Sequence, residues 1–290
     1  MRTIAVINQK GGVGKTTSSV NLAAALARAG KQVLLIDLDP QAHATLHLGV
    51  ETADAPTIYD VLTGSAAIAE ATRLSAPRLS VAPAHVDLVA TEIELVGREH
   101  RESVLRSALL AYREYFDFVI IDCAPSLGLL TLNALVAAEE VFIPLQPHFL
   151  ALQGLGKLLE TVTLVRGGLN PGLRVSGVVL CMYEPSTRLA QEVSGDVERF
   201  LAAADERSAW FGARVFKTRI RRNIKLAESP SFGKSIFDYA AGSHGAEDYL
   251  ALAREVLAME RVVRSASASA TTAEPPRGPA EAPTVAAEAV

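Results

Sequence analysis

Lys10-Gly11-Gly12-Val13-Gly14-Lys15-Thr16 is the stretch that decides the fold of this chain. It follows a run of β-branched residues at 2–8 and precedes residues 17–29, whose apolar side chains recur at helical spacing. A buried strand, a glycine-rich turn and an amphipathic helix, in that order, form the context of a phosphate-binding loop. The sequence therefore predicts a nucleotide site where residue 14 meets the start of a helix.

Each part of this loop suits a nucleotide phosphate. Backbone N–H groups of Gly11, Gly12, Val13 and Gly14 can converge on phosphate oxygens, and a helix N-terminus favours negative charge. Lys15 is expected to reach the β- and γ-phosphates and Thr16 to ligate Mg²⁺. Thr17 is expected to donate to the α-phosphate. An ordinary glycine turn before an amphipathic helix is the alternative reading.

Strands alternate with helices along the first 264 residues. Strand-like runs recur at 33–36, 79–82, 118–121, 141–145, 175–182 and 214–218, and helical patterns at 101–115, 150–166, 190–203 and 246–263. This alternation predicts an α/β fold, a mostly parallel twisted sheet with helices on both faces, as in P-loop NTPases. Residues 1–264 are expected to form that domain, and 265–290, rich in Ala, Ser, Thr, Pro and Glu, a disordered tail.

Composition narrows the class of protein. The chain has 290 residues, 49% of them hydrophobic, and a net charge of −4, which argues against a protein that is basic all over. Its longest apolar runs fall short of the ~18 residues of a membrane-spanning helix. Cys123 and Cys181 lie far apart in apolar sequence, as expected of buried thiols in a reducing compartment. A cytoplasmic location is therefore expected.

Three aspartates come at or after the ends of predicted strands. Asp37 and Asp39 are separated by one residue, so on an extended strand they would point the same way. Asp122 follows the 118–121 run. Because ligands of parallel sheets bind beyond the carboxyl ends of the strands, these side chains and the glycine loop are expected to share one crevice. Helix caps or turn residues are the alternative roles for all three.

Residues 9–17 resemble the deviant Walker A box of the ParA/MinD family of ATPases, whose signature lysine stands at Lys10. Residues 33–41 resemble the second box of that family and residues 118–129 its Walker B region. Residues 222–234 resemble a C-terminal block of its short chromosome-partitioning members, often called Soj or ParA. Four blocks in the same order make the resemblance specific.

The resemblance implies ATP and Mg²⁺ as ligands and assigns roles to the charged residues. Asp39 would position or activate the attacking water, and Asp37 and Asp122 would support the metal held by Thr16. Lys10 would cross a face-to-face homodimer interface to the nucleotide of the second copy. The expected catalytic residues are Asp39, Lys10 and Lys15; the expected metal residues are Thr16, Asp37 and Asp122.

A basic strip runs from Arg214 to Lys225 without an acidic residue. Its Arg222 matches a family arginine that binds DNA without sequence preference, and Arg219, Arg221 and Lys225 would enlarge that patch. A solvated charged surface is the alternative. Asn223 matches the family position that contacts adenine, so Arg221 and Asn223 join the predicted nucleotide ligands.

Three positions depart from the family pattern. Arg221 replaces a usual proline, which leaves the local backbone path open. Ala42-His43 stands where Gly-Asn is typical, and a packing variant is favoured over a catalytic role for His43. His148 stands where a glutamate is frequent.

The function implied by the resemblance is an ATP-dependent switch. ATP would drive dimerisation, the dimer would bind nonspecific double-stranded DNA on the nucleoid, and slow hydrolysis, stimulated by a ParB-type partner, would release monomers and so segregate chromosome or plasmid DNA. Positioning of another cargo (a microcompartment, chemoreceptor array or flagellar apparatus) stays open. A MinD-like membrane cycle is disfavoured because Arg277 is the single cation of residues 265–290, and a DNA-binding module without catalysis is the non-enzyme alternative.

Overall fold

A computed structural model describes the backbone of residues 1–271 and the side chains of residues 1–259. Residues Met1–Glu255 form one compact unit, and a second begins at Val256. The strands are β1 (Arg2–Val6), β2 (Val33–Leu38), β3 (Arg73–Ala76), β4 (Leu79–Ala82), β5 (Phe118–Cys123), β6 (Glu140–Leu145), β7 (Arg174–Leu180) and β8 (Arg214–Val215).

Twelve α-helices and three 3₁₀ turns connect the strands of this described part. The α-helices are α1 (Lys15–Arg28), α2 (His43–His47), α3 (Ile58–Thr63), α4 (Ile68–Ala71), α5 (Thr91–Glu94), α6 (Val104–Leu110), α7 (Leu129–Ala137), α8 (Ala151–Gly168), α9 (Arg188–Ala202), α10 (Ile224–Glu228), α11 (Ile236–Tyr239) and α12 (His244–Thr271). The 3₁₀ turns are Val86–Ala90, Arg101–Ser103 and Ser229–Phe232.

One sheet holds all eight strands in the order β3-β4-β2-β5-β1-β6-β7-β8. Each neighbouring pair is parallel except β3–β4 at one edge. The central strands β2 and β5 are buried along their whole length, as expected for strands covered by helices on both faces. The predicted α/β fold with a mostly parallel sheet is confirmed.

Strand register brings two carboxylates together at the C-terminal ends of the neighbouring central strands β2 and β5. Asp37 on β2 lies opposite Asp122 on β5, and Val6 at the end of β1 pairs with Asp122 from the other side. The chain leaves β1 into the glycine loop, so this loop starts beside both carboxylates. An alanine-rich α1, buried over most of its surface, covers the sheet here because small side chains allow close helix–sheet approach.

Two predicted elements are shorter than the sequence pattern suggested. Residues 101–115 were expected to form one helix, yet α6 covers only seven of them, because Asn133 accepts from the Leu105 N–H and donates to the Arg101 carbonyl. β8 ends at Val215, short of the predicted residue 218: the Phe216 N–H still donates to the Val178 carbonyl of β7, but the N–H groups of Lys217 and Thr218 donate to the Glu255 carboxylate instead. In both places tertiary contacts override local propensity.

The predicted boundary between residues 264 and 265 falls inside α12, which continues to Thr271. Residues 272–290, the rest of the predicted disordered tail, lie outside the described residues. The division into an ATPase domain and a tail therefore stays a prediction.

Candidate nucleotide-binding site

The glycine loop needs backbone conformations that suit glycine. Gly12 has φ 73° and Gly14 has φ 91°, in the left-handed region that other residues adopt at a cost of about 1 kcal/mol. Gly14 is the N-cap of α1, and no side chain caps the helix there. The first N–H groups of α1 are therefore available to a ligand, as an anion site at a helix N-terminus requires.

A cavity of about 560 Å³ opens above this loop, within the usual range for small-molecule sites. Residues of the glycine loop and the start of α1 form one wall, and residues 220–224, 226 and 227 form the opposite wall. Asp39 lies at its side. The structure thus brings together Gly11, Gly12, Gly14, Lys15, Thr16, Thr17, Asp39, Arg221 and Asn223, and buries Val13 behind the loop.

Lys15 is held as a buried cation at the floor of the cavity. Its side chain is only 7% exposed, and its Nζ donates to the Lys10 carbonyl at 3.2 Å. Burial lowers the pKa of Lys15, while the nearby charges of Asp122 and Asp39 act in the opposite direction. A buried ammonium with one weak backbone acceptor is preorganised for an anion such as a phosphate.

Asp122 carries an unpartnered oxygen next to the loop. Its Oδ1 accepts from the Ser19 hydroxyl at 2.7 Å, whereas Oδ2 is buried without a hydrogen-bond partner among the described residues. Burial, and next the charge of Asp37, raise the pKa of Asp122; the Ser19 and Thr16 hydroxyls partly offset this. A buried carboxyl oxygen without a hydrogen-bond partner fits a divalent cation held nearby, whose charge would also favour the ionised carboxylate.

Mg²⁺ fits these residues as a shared ligand rather than as a caged ion. No group of three or more His, Cys, Asp or Glu side chains in the described chain could hold a metal by itself. Mg²⁺ typically keeps several waters and binds through one or two protein oxygens plus substrate phosphates. The Thr16 hydroxyl and Asp122 Oδ2 are the oxygens that this part of the chain offers.

Asp37 is occupied by its own loop. Its Oδ2 accepts from both the backbone N–H and the hydroxyl of Thr45, each at 2.8 Å, and Oδ1 accepts from the Asp39 N–H at 3.2 Å. Burial raises the pKa of Asp37, and the Thr45 bonds lower it. With three donors already bound, Asp37 organises the 39–45 turn, and a contact to the metal through water stays a prediction.

Asp39 and Ala42 shape the turn that follows. Asp39 Oδ1 accepts from the Gln41 N–H at 3.0 Å, and the Asp39 carbonyl accepts from Ala42. Ala42 has φ 51°, a conformation in which glycine is favoured, which explains why glycine is usual at this position in the resembling family. His43 is exposed and lines the cavity.

Lys10 is not among the residues that line the cavity of its own chain. Its backbone N–H donates to Asn8 Oδ1 at 2.9 Å, and its Nζ lies 2.7 Å from His148 Nε2. Burial, and next the charge of Lys10, lower the pKa of His148. The exposed ammonium of Lys10 does not line the cavity that Lys15 serves, so a second role for Lys10 has to lie outside it.

The basic strip, defined as Arg219, Arg221, Arg222 and Lys225, is compensated by carboxylates from elsewhere in the chain. Arg222 Nε lies 2.7 Å from Glu184, Lys225 Nζ lies 2.9 Å from Glu228, and Arg219 Nη2 lies 3.2 Å from Glu198. Arg221 binds Asp248 and Glu247. Only Arg222 keeps most of its side chain exposed, at 64%. The sequence pattern missed these partners because most of them are far away in the chain.

A hydroxyl cluster behind the glycine loop also escaped the sequence analysis. Ser18 Oγ lies 3.1 Å from the hydroxyl of Tyr249 and 3.6 Å from Cys181 Sγ. Cys123 and Cys181 are both buried free thiols, as predicted. Ser19, the partner of Asp122, was missed as well, although it could have been predicted because it lies three residues after Thr16 on the same face of α1. No sequence pattern marks Tyr249.

A search of the described helices for a bilayer-spanning segment, long and apolar enough to cross, finds none. The predicted absence of a membrane partner depended on residues 265–290, most of which lie outside the described part.

Comparison with known proteins matches both the sequence and the fold. Residues 1–175 match the family model described as an AAA domain. The chain is 46% identical to the chromosome-partitioning ATPase Soj of Treponema pallidum over 260 residues, 89% of this chain and 98% of that one. It is also 46% identical to the chromosome partitioning protein ParA of Caulobacter vibrioides over 265 residues, 90% and 96% of the two chains.

A solved structure shares the architecture. The crystal structure of a protein named cobyrinic acid a,c-diamide synthase, from Mycobacterium smegmatis with bound ADP and magnesium, superposes with a TM-score of 0.74 at 36% identity. The match covers 89% of this chain and 94% of that one. A fold of this kind therefore holds a nucleotide and magnesium in that protein.

Proposed function

The chain belongs to the ParA/Soj family of chromosome-partitioning ATPases, and from this premise we propose that it is an ATP-dependent dimerising switch that acts on DNA. Its relatives carry that name at 46% identity over nearly their whole length. The chain is accordingly an ATPase with ATP and Mg²⁺ as its ligands. The observation that carries the nucleotide-binding part of the proposal is a buried Lys15 and an unpartnered Asp122 oxygen beside one glycine-lined cavity.

We assign the hydrolysis chemistry to residues around this cavity. The N–H groups of the glycine loop and Lys15 bind the phosphates, and Thr16 and Asp122 hold the cation. Mg²⁺, when bound there, would supply positive charge that offsets the charge of the phosphates. Asp39, at the side of the cavity, orients the attacking water. Asp37 holds the Asp39 turn through Thr45, so its effect on hydrolysis is indirect.

Dimerisation is the proposed role of Lys10. Its ammonium is exposed and does not line the cavity of its own chain. A cation that reaches the nucleotide of a second copy would neutralise charge that otherwise repels the two chains, so ATP becomes part of the interface. Because Lys10 Nζ lies 2.7 Å from His148 Nε2, Lys10 would have to leave His148 before it makes that contact.

DNA binding is proposed for the basic strip, with Arg222 as its main contact. Phosphates of DNA would have to displace Glu184 from Arg222, whereas Arg221 is held by two carboxylates and contributes little. We keep the ParB-type partner, slow intrinsic hydrolysis and nucleoid location as parts of the same proposal, on the relatives' partitioning names. Another cargo is the second candidate, and the site itself does not distinguish the two.

Three lysine variants test the switch. Lys15→Ala should abolish binding of fluorescent ADP. Lys10→Ala should bind nucleotide yet stay monomeric with ATP in light scattering. Lys157→Ala, an exposed lysine on α8, is the matched control and should behave like the wild type. An ATP-dependent dimer of Lys10→Ala would contradict the role of Lys10, and retained affinity of Lys15→Ala would contradict the loop assignment.

Asp39→Ala tests hydrolysis and its coupling to DNA. Phosphate release should be lost, and the ATP-bound dimer should accumulate on DNA in sedimentation experiments. Phosphate release at the wild-type rate would remove Asp39 from the mechanism. A dimer that forms but does not sediment with DNA would exclude the DNA part of the proposal while leaving the ATPase intact.

A further inference from the structure

The wall of the cavity opposite the glycine loop begins as an extension of the sheet. Ile220 donates to the Leu180 carbonyl at 2.8 Å, Tyr183 donates to the Ile220 carbonyl at 2.9 Å, and Arg222 donates to the Tyr183 carbonyl at 3.3 Å. Tyr183 and Arg221 form a parallel bridge. In such a ladder the N–H of the middle residue, Arg221, points away from the neighbouring strand.

Asp248 binds that outward N–H. Its Oδ2 accepts from the Arg221 backbone at 2.9 Å, and its Oδ1 accepts from Nε at 3.0 Å and from Nη2 at 2.6 Å. The Asp248 side chain is 9% exposed. One carboxylate therefore holds both the main chain and the guanidinium of Arg221. Charge-assisted bonds of this kind are stronger than neutral ones, especially when they are bidentate.

This clamp explains how arginine replaces the proline expected at position 221. Proline has no N–H and fixes φ, and an outward-facing edge position is where a sheet tolerates it. Arginine adds a donor and removes the restriction on φ. Asp248 satisfies the donor and restrains the residue through two further donor atoms, Nε and Nη2, so the backbone path that the sequence left open is set from α12.

Tyr249, the residue after Asp248, makes a second contact to the nucleotide cavity's surroundings. Tyr249 OH lies 3.1 Å from Ser18 Oγ on α1, directly behind the glycine loop. Asn223, two residues after Arg221, uses its Oδ1 to cap α10 by accepting from the Lys225 N–H at 2.8 Å. One turn of α12 thus connects the 220–223 wall with the helix that carries the phosphate loop.

We propose that Asp248 is a positioning residue that fixes the base-side wall of the nucleotide cavity relative to the phosphate loop, and thereby sets affinity for the nucleoside part of the ligand. The proposal rests on the proposed function, because it needs a nucleotide in this cavity. Asp248 touches no ligand in this scheme and acts through Arg221 and the backbone that leads to Asn223.

The test compares Asp248→Asn with Glu247→Gln in the full chain. Asn is isosteric but loses the charge and one acceptor. Glu247 is 60% exposed; it contacts Arg221 at Nη2 alone, at 3.1 Å, and its other partner is His244 at 3.0 Å. Asp248→Asn should bind fluorescent ADP about tenfold more weakly, a change of about 1.4 kcal/mol. The KM for ATP should rise with little change in kcat. Glu247→Gln should match the wild type.

Inorganic tripolyphosphate separates positioning from general destabilisation. It occupies only the phosphate side, so its affinity, measured by displacement of the fluorescent nucleotide, should be the same in Asp248→Asn and the wild type. Equal losses for ADP and tripolyphosphate, or unchanged ADP affinity, would overturn the proposal. Failure of the phosphate-loop assignment itself would appear separately, as nucleotide binding that survives Lys15→Ala.

A double variant supplies a rescue. Asp248→Ala should weaken ADP binding at least as much as Asp248→Asn, because the Arg221 N–H and guanidinium lose all their acceptor atoms on this residue. Adding Arg221→Pro removes the donor and restricts φ, and should recover most of the lost affinity. If the double variant binds ADP no better than Asp248→Ala, the wall is not held in the way described.

Discussion

His47 should make the stability of this protein fall steeply in mild acid. The imidazole is 1% exposed, and its Nε2 lies 3.3 Å from the Ser229 hydroxyl. Burial lowers the pKa of His47 from 6.5 to about 4. The unfolded chain therefore binds a proton at this residue between about pH 6.5 and pH 4, where the folded chain does not, so the free energy of unfolding rises with pH in that window.

The size of the effect follows from the two pKa values. At pH 7.5 both states are neutral at His47 and the group contributes almost nothing to the pH dependence. At pH 5 the unfolded state is largely protonated and the folded state is not, which costs about 2 kcal/mol for pKa values of 6.5 and about 4. For a chain of this size that corresponds to about 4–8 °C in melting temperature.

The assay is thermal unfolding of the wild type and His47→Gln at pH 7.5 and pH 5, without nucleotide. Gln keeps a polar group near Ser229 and does not titrate, so the variant should lose about 2 kcal/mol less than the wild type on acidification. Asp37 and Asp122, whose pKa values are raised, titrate in both proteins and cancel in the difference. Equal losses in the two proteins would refute the assignment of a buried neutral His47.

Three further predictions follow from single contacts. Ala42→Gly should stabilise the protein by up to about 1 kcal/mol in thermal unfolding, because φ 51° costs alanine more than glycine loses in entropy; a lower melting temperature would contradict this. Gly177→Ala should lower the free energy of unfolding by about 1–3 kcal/mol, because a Cβ there would lie 2.5 Å from the Phe216 ring and 2.9 Å from the Arg214 carbonyl oxygen. A wild-type melting temperature would contradict this and mean that β8 can shift to make room. Arg222→Glu should weaken DNA binding at moderate salt and lower the salt slope of the remaining binding by at least about one. Arg199→Glu, a change at an exposed arginine on α9, should alter both little, and equal effects of the two variants would point to net charge alone.

The strand, glycine loop and helix around Lys15 could be predicted from the sequence because their signals are local. Glycines at 12 and 14, the β-branched run before them and the helical spacing after them specify the loop without reference to the rest of the chain. The alternation of strands and helices likewise determined the α/β class. Carboxylates at strand ends were readable too, since parallel strands end at the same edge of a sheet.

Tertiary structure decided which of those polar groups are free to act. Register placed Asp37 opposite Asp122, but only Asp122 of this pair kept an unpartnered oxygen, because Thr45 on α2, eight residues after Asp37, binds Asp37. The basic strip looked uncompensated along the chain, yet the folded protein supplies a carboxylate for each of Arg219, Arg221, Arg222 and Lys225. Asp248, on a helix 27 residues after Arg221, holds a backbone path that the local sequence left open.

The physical reason is the range of each interaction. Backbone torsions and hydrophobic periodicity act over a few residues, so the sequence by itself determined the loop, the strands and the family resemblance. Hydrogen bonds and ion pairs depend on distances of about 3 Å between residues that may be far apart in the chain. Only the folded structure therefore decided which hydrogen-bond partners Asp122 and Arg221 have and how deeply His47 is buried.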